Sequence, residues 1–343
     1  MTHNHDDVYK GKKILITGGT GSLGQALTKR LLNLDVNTIR IFSRNESKQI
    51  MMASKFSDKR LRFFIGDVRD FDRLTKALED VDIVFHAAAL KHVPIVEYNP
   101  FEAIKTNVIG SQNVIDACLH ENVDRAVCIG TDKAVSPLNT YGATKLLMEK
   151  LFVTANNYLN KKRHRTKFIA LRYGNVLGSS GSVVPTFIEQ IRKKKKLTIT
   201  DPKMTRFSIT MDEALDFILE STMMGVGSEI FVPKLRSYSI VELKEALIEL
   251  LGKTGEVITG IRSGEKLHEV LINNDELRYT WELGNKYVIL QSPRVQNKEK
   301  LIYSGIRITK LMKAYSSDNV ERISKNELKK IISKNILSKS SLI

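Results

Sequence analysis

Residues 12–24 read Lys12-Lys13-Ile14-Leu15-Ile16-Thr17-Gly18-Gly19-Thr20-Gly21-Ser22-Leu23-Gly24, and Ala26, Leu27, Leu31 and Leu32 follow at helical spacing. The apolar, β-branched run behind two lysines predicts a short buried strand. Glycines 18, 21 and 24 fall at the turn from that strand into the helix. There the first permits a tight turn, the second lets backbone amides approach a pyrophosphate, and the third allows close helix–strand packing. The pyrophosphate sits at the positive end of the helix dipole. Together these features predict an α/β fold, a doubly wound parallel sheet, with Gly18, Thr20, Gly21, Ser22, Leu23 and Gly24 at the phosphates of a dinucleotide.

Further strands follow at regular intervals. Thr38-Ile39-Arg40-Ile41-Phe42 ends in Ser43-Arg44-Asn45. An acidic side chain at this point binds the ribose 2′-hydroxyl of NAD, whereas an arginine accommodates a 2′-phosphate. Ser43, Arg44 and Lys48 therefore favour NADP over NAD. A third strand, Leu61-Arg62-Phe63-Phe64-Ile65-Gly66, leads into Asp67-Val68. These two residues fit the adenine edge, and Asp67 equally fits a helix N-cap. A fourth strand, Val81-Asp82-Ile83-Val84-Phe85-His86, runs into Ala87-Ala88-Ala89, small enough to pass close under a nicotinamide ribose. His86 reads as a satisfied core histidine, and Lys91 and His92 follow in a loop within reach of a substrate phosphate. Asn107 falls in a helical segment, residues 100–120, and a buried amide there needs a partner, for which the active-site backbone is the candidate.

The fifth strand, Val127-Cys128-Ile129-Gly130, delivers Thr131-Asp132-Lys133 at its carboxyl end, the edge where open α/β sheets bind ligands. Tyr141 and Lys145 follow with helical i,i+4 spacing, on one face of a helix. A lysine ammonium beside a phenol favours the phenolate, so the pair predicts a base working near neutral pH. The upstream hydroxyl, carboxylate and amine are more acid–base equipment than hydride transfer alone requires.

The glycine turn, the His-Ala-Ala-Ala segment and the Y-x-x-x-K pair resemble an extended short-chain dehydrogenase/reductase acting on nucleotide sugars. The resemblance narrows through T-D-K-A-V-S-P-L-N-T-Y-G-A-T-K (131–145), L-R-Y-G-N-V-L-G-S (171–179), G-S-V-V-P (181–185), I-T-D-P-K-M-T-R-F (199–207) and R-S-G-E-K-L-H-E (262–269). Together these are similar to the inverting UDP-N-acetylglucosamine 4,6-dehydratases of bacterial and archaeal surface-glycan pathways. The resemblance implies oxidation at C4 with Tyr141 taking the hydroxyl proton, while Lys145 depresses its pKa and holds the nicotinamide ribose. Lys133 then takes the C5 proton, which requires a lysine whose pKa is lowered by burial or a nearby cation. Asp132 protonates the departing C6 hydroxyl, and Thr131 hydrogen-bonds the sugar at C4. The cofactor, tightly bound NADP, is regenerated in each turnover.

The same resemblance places the sugar nucleotide on the second half of the chain. Asn175 and Val176 follow a sixth strand at residues 168–172, with Val176 against the nicotinamide. Ser179, Gly181, Ser182 and Val183 open a helix, with Ser182 as its N-cap. Arg206, Arg262 and Glu265 suit the pyrophosphate and ribose of UDP, since arginine matches phosphate bidentately. Position 180 is Ser180, where the family usually has arginine, a departure that bears on the exact sugar. Two other readings share the scaffold: a UDP-sugar 4-epimerase, which needs no work from Lys133, and a non-enzymatic NADP-binding regulator.

At 343 residues and 42% apolar content the chain is long enough for about two domains. We expect an NADP-binding domain over residues 1–176, a substrate lobe over 177–316 with segments returning to the core, and a basic tail over 317–343. The net charge of +16 is spread along the chain without interleaved aromatic residues, which argues against nucleic acid as a partner. No run approaches the roughly 18 apolar residues of a membrane span, and the first ten residues lack a signal-peptide core. Two cysteines without metal spacing read as reduced core thiols, so the expectation is a cytoplasmic enzyme that binds no metal. The family resemblance adds a homo-oligomer, dimer or hexamer.

Overall fold

Alternate residues along each strand sort into two cores. In a computed structural model describing residues 8–157, 159–160, 162–179, 181–290 and 303–338, the first strand, β1, spans Lys13–Thr17. Its Leu15 faces one apolar cluster, and Ile14 and Ile16 face the other. The same alternation recurs in β4 (Ile83–His86), β5 (Arg125–Ile129) and β6 (Lys167–Leu171), where Val84, Ala126, Cys128, Phe168 and Ala170 oppose Phe85, Val127, Ile129, Ile169 and Leu171. A sheet buried on both faces is the expected outcome of period-two alternation in strands apolar throughout.

β2 (Thr38–Ser43) and β3 (Leu61–Ile65) join these strands in parallel, in the order β3-β2-β1-β4-β5-β6. The order reverses between β1 and β4, so the crevice at their carboxyl ends is the switch point where such sheets bind ligands. The sheet then extends beyond the expected strands. Glu229–Pro233 pairs in parallel with β6, followed by antiparallel Lys286–Leu290, Thr280–Leu283 and Arg307–Ile308. No helix among the described residues is long and apolar enough to cross a membrane.

A third apolar cluster lies under the second half of the chain. Val184, Phe187 and Ile191 of the helix Val183–Arg192 meet Leu243 and Leu247 of the helix Ile240–Leu251. The segment expected as a basic tail from Ser317 forms part of this lobe. Ser317 is fully buried, its Oγ 2.7 Å from Thr205 Oγ1, and Leu328 and Ile332 of the helix Lys325–Ile332 bury against the same cluster. Its lysines stay outside, where Lys325 and Lys329 pair with Glu249, while the apolar stripe faces in.

Candidate active site

The glycine turn is shaped for close approach. Gly18 adopts φ +67°, and a Cβ there would lie 2.9 Å from the Ala88 backbone. The chain after β4 therefore passes directly over the turn after β1. A cleft of about 260 Å³ opens here, lined by Gly18, Thr20, Gly21, Ser43, Arg44, Lys48, Asp67, Val68, Ala88 and Ala89 among others. Ser22, Leu23 and Gly24 stand behind it as the first turn of the helix Ser22–Leu32, whose amino end points at the cleft's glycines. Ala87 and Val176 pack into the core rather than lining the cleft. Thr106, which the sequence reading passed over, lines it.

Asp67 is not a helix cap. That role falls to Asp70, whose side chain accepts from the Arg73 amide at the start of the helix Phe71–Leu78. Asp67 is gripped instead by Arg69, at 2.7 Å, with Arg44 at 3.7 Å. Its carboxyl is held below the ordinary range: burial works against this, but the Arg69 contacts and the Arg44 charge prevail. Arg44 keeps 53% of its side chain exposed. A glycine cradle open to a pyrophosphate, at a strand-to-helix turn, fits a dinucleotide.

Asn107 supports the cleft from behind. The helix running from Pro100 to His120 widens into a π turn at Ile104–Ile109, which carries Asn107. Such turns are frequent at functional sites. The Asn107 side chain accepts from the Leu90 amide (2.8 Å) and donates to the Leu90 carbonyl (2.9 Å) and to Thr144 Oγ1 (3.0 Å). It thus fixes the chain after Ala89 and does not line the cleft. His86 is the expected core histidine. Its nitrogens lie 2.8 Å from Thr17 Oγ1 and 3.0 Å from Ser111 Oγ, and burial brings its pKa down to about 3.

The acid–base groups converge at the end of β5. Tyr141 and Lys145 lie in the helix Thr140–Ala155, which Asn139 caps by accepting from the Gly142 amide at 2.7 Å. That helix lies hard against the Thr131-Asp132-Lys133 turn, since a Cβ at Gly142 would sit 2.3 Å from the Lys133 carbonyl oxygen. Lys133 Nζ lies 3.1 Å from Asp132 Oδ1, 3.3 Å from Asn175 Oδ1 and 3.3 Å from Glu269 Oε1. Thr131 Oγ1 donates to Asp132 Oδ1 at 2.9 Å.

Two electrostatic expectations need correcting. Lys145 does not act on the Tyr141 phenol, because its ammonium turns to the Ile129 carbonyl at 2.6 Å. Burial pushes Tyr141 up to about 12, and the cation pulling the other way is Lys133. Nor is Lys133 a neutral amine. Burial alone would lower its pKa, but Asp132 and Glu269 together raise it above the ordinary lysine value. The sequence reading gave this lysine a single carboxylate neighbour, whereas the fold supplies two. Asp132 is fully buried and held above the usual carboxylate range, first by burial and then by Glu269, although Lys133 opposes this. Glu269 is held below it: burial resists, but Lys133, Arg206 and Lys266 outweigh it.

A second cavity, of about 310 Å³, runs from this cluster into the lobe. Lys133, Asn175, Gly181, Ser182, Val183, Arg206, Arg262 and Glu265 line it, and so do Glu269, Lys266 and Asn139, which the sequence reading had not singled out. Lys266 and Glu269 lie inside the 262–269 motif, so the signal was present, but only Arg262 and Glu265 had been given roles. Ser182 precedes the helix Val183–Arg192 in the N-cap position, yet its hydroxyl makes no cap bond and is buried without a partner at the cavity wall. Arg206 is held in place by carbonyls of Thr205 (2.7 Å) and Leu267 (3.0 Å), and Arg262, 66% exposed, lies 3.8 Å from Glu265. Lys91 and Ser179 are not at this wall, and Ser180 lies outside the described residues.

Residues 14–291 match the family model described as polysaccharide biosynthesis protein. The inverting UDP-N-acetylglucosamine 4,6-dehydratase of Campylobacter jejuni serotype O:23/36 is 49% identical over 91% of this chain and 94% of its own length. The UDP-glucose 4-epimerase of Rickettsia felis is 40% identical over 95% of this chain and 96% of its own. Among solved structures, Pen from Bacillus thuringiensis superposes with a TM-score of 0.88 at 38% identity, over 96% of this chain and 99% of that one.

Proposed function

The chain belongs to the polysaccharide biosynthesis protein family, and we propose that it dehydrates UDP-N-acetylglucosamine to a 4-keto-6-deoxy UDP-sugar with inversion at C5, using NADP. The observation that carries this reading is the Asp132–Lys133 pair, with a further carboxylate at Glu269, packed against the Tyr141 helix at one end of the substrate cavity. Exchanging the configuration at C4 needs one acid–base group and a redox cofactor. Removing water also needs a base for C5 and an acid for the leaving oxygen.

In this mechanism the glycine turn, Arg44 and Lys48 would hold the dinucleotide, which would supply the hydride acceptor for C4 and the hydride donor for C6. Tyr141 is placed for the C4 hydroxyl proton, which it takes as a phenolate once its own proton has left, a form the Lys133 ammonium favours. The 4-keto group acidifies C5–H. Lys133 is placed for that proton, and as an ammonium it must shed one of its own first. Asp132, whose neutral form burial favours, gives its proton to the C6 hydroxyl as water leaves. Arg206, Arg262 and the Ser182 hydroxyl bind the UDP diphosphate and sugar. Free, buried Cys118 and Cys128 support a reducing, cytoplasmic setting. Exposed Ile95, Tyr98 and Phe101, on neighbouring short helices, support a homo-oligomer.

The 4-epimerase reading rests on the Rickettsia relative and makes the opposite forecast for one assay. Incubation with UDP-N-acetylglucosamine is expected to yield a product lighter by one water and bearing solvent deuterium at C5. Mass spectrometry showing only a water-retaining C4 epimer would sink the dehydratase reading. The coenzyme preference has its own test. Arg44→Ala is expected to weaken NADP binding by about tenfold to a hundredfold, the worth of one charge-assisted hydrogen bond, and to leave NAD binding nearly unchanged. Equal losses for both coenzymes would refute a 2′-phosphate contact.

A further inference from the structure

Lys133 is placed for the C5 proton but is held as an ammonium, so the reaction needs somewhere for its resident proton to go. Asp132 is the nearer carboxylate, at 3.1 Å, but it must keep its own proton for the departing hydroxyl. The other contact is Glu269, and its setting is unusual. It is 3% exposed, it lines the substrate cavity, and its Oε1 lies 3.3 Å from Lys133 Nζ. Its second oxygen, Oε2, is buried without a partner, although buried carboxylate oxygens are ordinarily satisfied.

The fold fixes Glu269 from a distance in sequence. Its amide donates to Ser317 Oγ at 2.9 Å, and its carbonyl accepts from the Ser317 amide at 2.8 Å. The charged and titratable groups around it come from every neighbouring element. Lys133 and Asp132 face it from the β5 turn, Arg206 from the strand Thr205–Ile209 with Nε at 3.6 Å, and Tyr238 from the strand Ser237–Ser239. Lys266 approaches from its own segment, where His268 is turned away to Thr205 Oγ1 at 2.8 Å. This cationic surround favours the ionised form of Glu269, whereas burial and the Glu269 charge favour the neutral form of Asp132.

We propose that Glu269 is the group to which Lys133 hands its resident proton, so that Lys133 meets the substrate as a neutral amine while Asp132 remains an acid. This rests on the dehydratase reading and deepens it. The proton first moves from Lys133 Nζ to Glu269. The Nζ lone pair then takes the C5 proton, and the C5–H electrons form the C5–C6 double bond. The C6–O bond breaks, and its oxygen leaves with the Asp132 proton as water. Over a turnover the protein gains the C4-hydroxyl and C5 protons and gives up two, one to water and one back to C5. It ends as it began. Glu269 acts through Lys133 and is in that sense a positioning residue for a proton.

The test is the pH profile of C5 exchange and water loss in Glu269→Gln, set beside cofactor retention measured by absorbance. In the native protein the Lys133-to-Glu269 transfer is internal, so the rate is expected to be nearly flat between about pH 6 and 8. In Glu269→Gln the lysine proton must go to solvent. Exchange is expected to fall about a hundredfold at neutral pH and to recover about tenfold per pH unit, with NADP still bound. Glu269→Asp, which keeps an acceptor, is expected to restore a flat profile at an intermediate rate, and it serves if the glutamine variant does not fold. Unchanged exchange in Glu269→Gln, or a loss by one factor at every pH, would overturn the proposal in favour of a structural role. Absence of C5 exchange in the native protein would instead sink the dehydratase reading, and this inference with it.

Discussion

Lys133→Met is expected to split the reaction into its halves. Mixing the variant with UDP-N-acetylglucosamine should build up reduced nicotinamide absorbance, because Tyr141 and the cofactor cleft keep their places, though more slowly since the phenol loses the Lys133 charge that lowers its pKa, while water loss falls by about a thousandfold. General acid–base groups contribute roughly a hundredfold to ten-thousandfold, and the Lys133 amine lies within hydrogen-bond distance of both Asp132 and Glu269 at the cavity. Methionine fills the volume of the lysine stem and removes only the ammonium. Its loss leaves two buried carboxylates facing each other, and these respond by taking up protons, since like charges at close range disfavour ionisation. The variant is therefore expected to bind cofactor as the native protein does. Single-turnover spectra at 340 nm, with parallel mass spectrometry of the sugar nucleotide, separate the two halves. Equal loss of cofactor reduction and of dehydration would show that Lys133 serves the whole site rather than the C5 proton.

The sheet was legible because its strands carry their burial in their own residues. The expected strands at residues 12–17, 38–42, 61–66, 81–86, 127–130 and 168–172 appear within two residues of Lys13–Thr17, Thr38–Ser43, Leu61–Ile65, Ile83–His86, Arg125–Ile129 and Lys167–Leu171. The antiparallel edge was not legible. Trp281 and Tyr287 sit in short strands whose partners are set by chain reversal, not by local pattern. Thr131, Asp132, Lys133, Tyr141 and Lys145 were legible as a group because they lie close together in sequence at a strand end. Their charge states were not. Glu269 is separated from Lys133 by 136 positions, and its closeness follows only from Ser317 pinning the 269 backbone to the far end of the chain. A lysine expected to be neutral is therefore held toward its ammonium form by Asp132, beside it in sequence, and by Glu269, which no local reading contains. The π turn at Asn107 is of the same kind: the sequence asked for a partner to a buried amide, and the structure answers with both polar groups of the Leu90 backbone.

Arg172→Met is expected to cost about 3–5 kcal/mol of stability, the range found when one member of a buried ion network is removed. Arg172 is wholly buried just past β6, with Nε 3.0 Å from Glu149 Oε2 and Nη1 2.9 Å from Glu276 Oε2 and from the Leu271 carbonyl. Glu149 belongs to the helix that carries Tyr141 and Lys145, and Glu276 and Leu271 to the chain just beyond Glu269. The guanidinium therefore joins the hydride-transfer helix to the segment that supplies the third acid–base group. Methionine replaces the aliphatic stem without the guanidinium and leaves both carboxylates buried with nothing to neutralise them. Glu276 fixes the sign of the pH effect. Burial would raise its pKa, but Arg172 outweighs burial and holds it below the ordinary value. A depressed folded-state pKa gives stability that is present above the unfolded value of about 4.3 and is lost as pH falls through the folded value. The gap in urea midpoint between native protein and variant is thus expected to be widest near neutral pH and to shrink as the carboxylates protonate in acid. Adding Glu149→Gln and Glu276→Gln to Arg172→Met should recover much of the loss, because the penalty lies in the orphaned charges rather than in missing volume. A variant as stable as the native protein at neutral pH, or a gap that does not move with pH, would show that the network contributes packing and not charge.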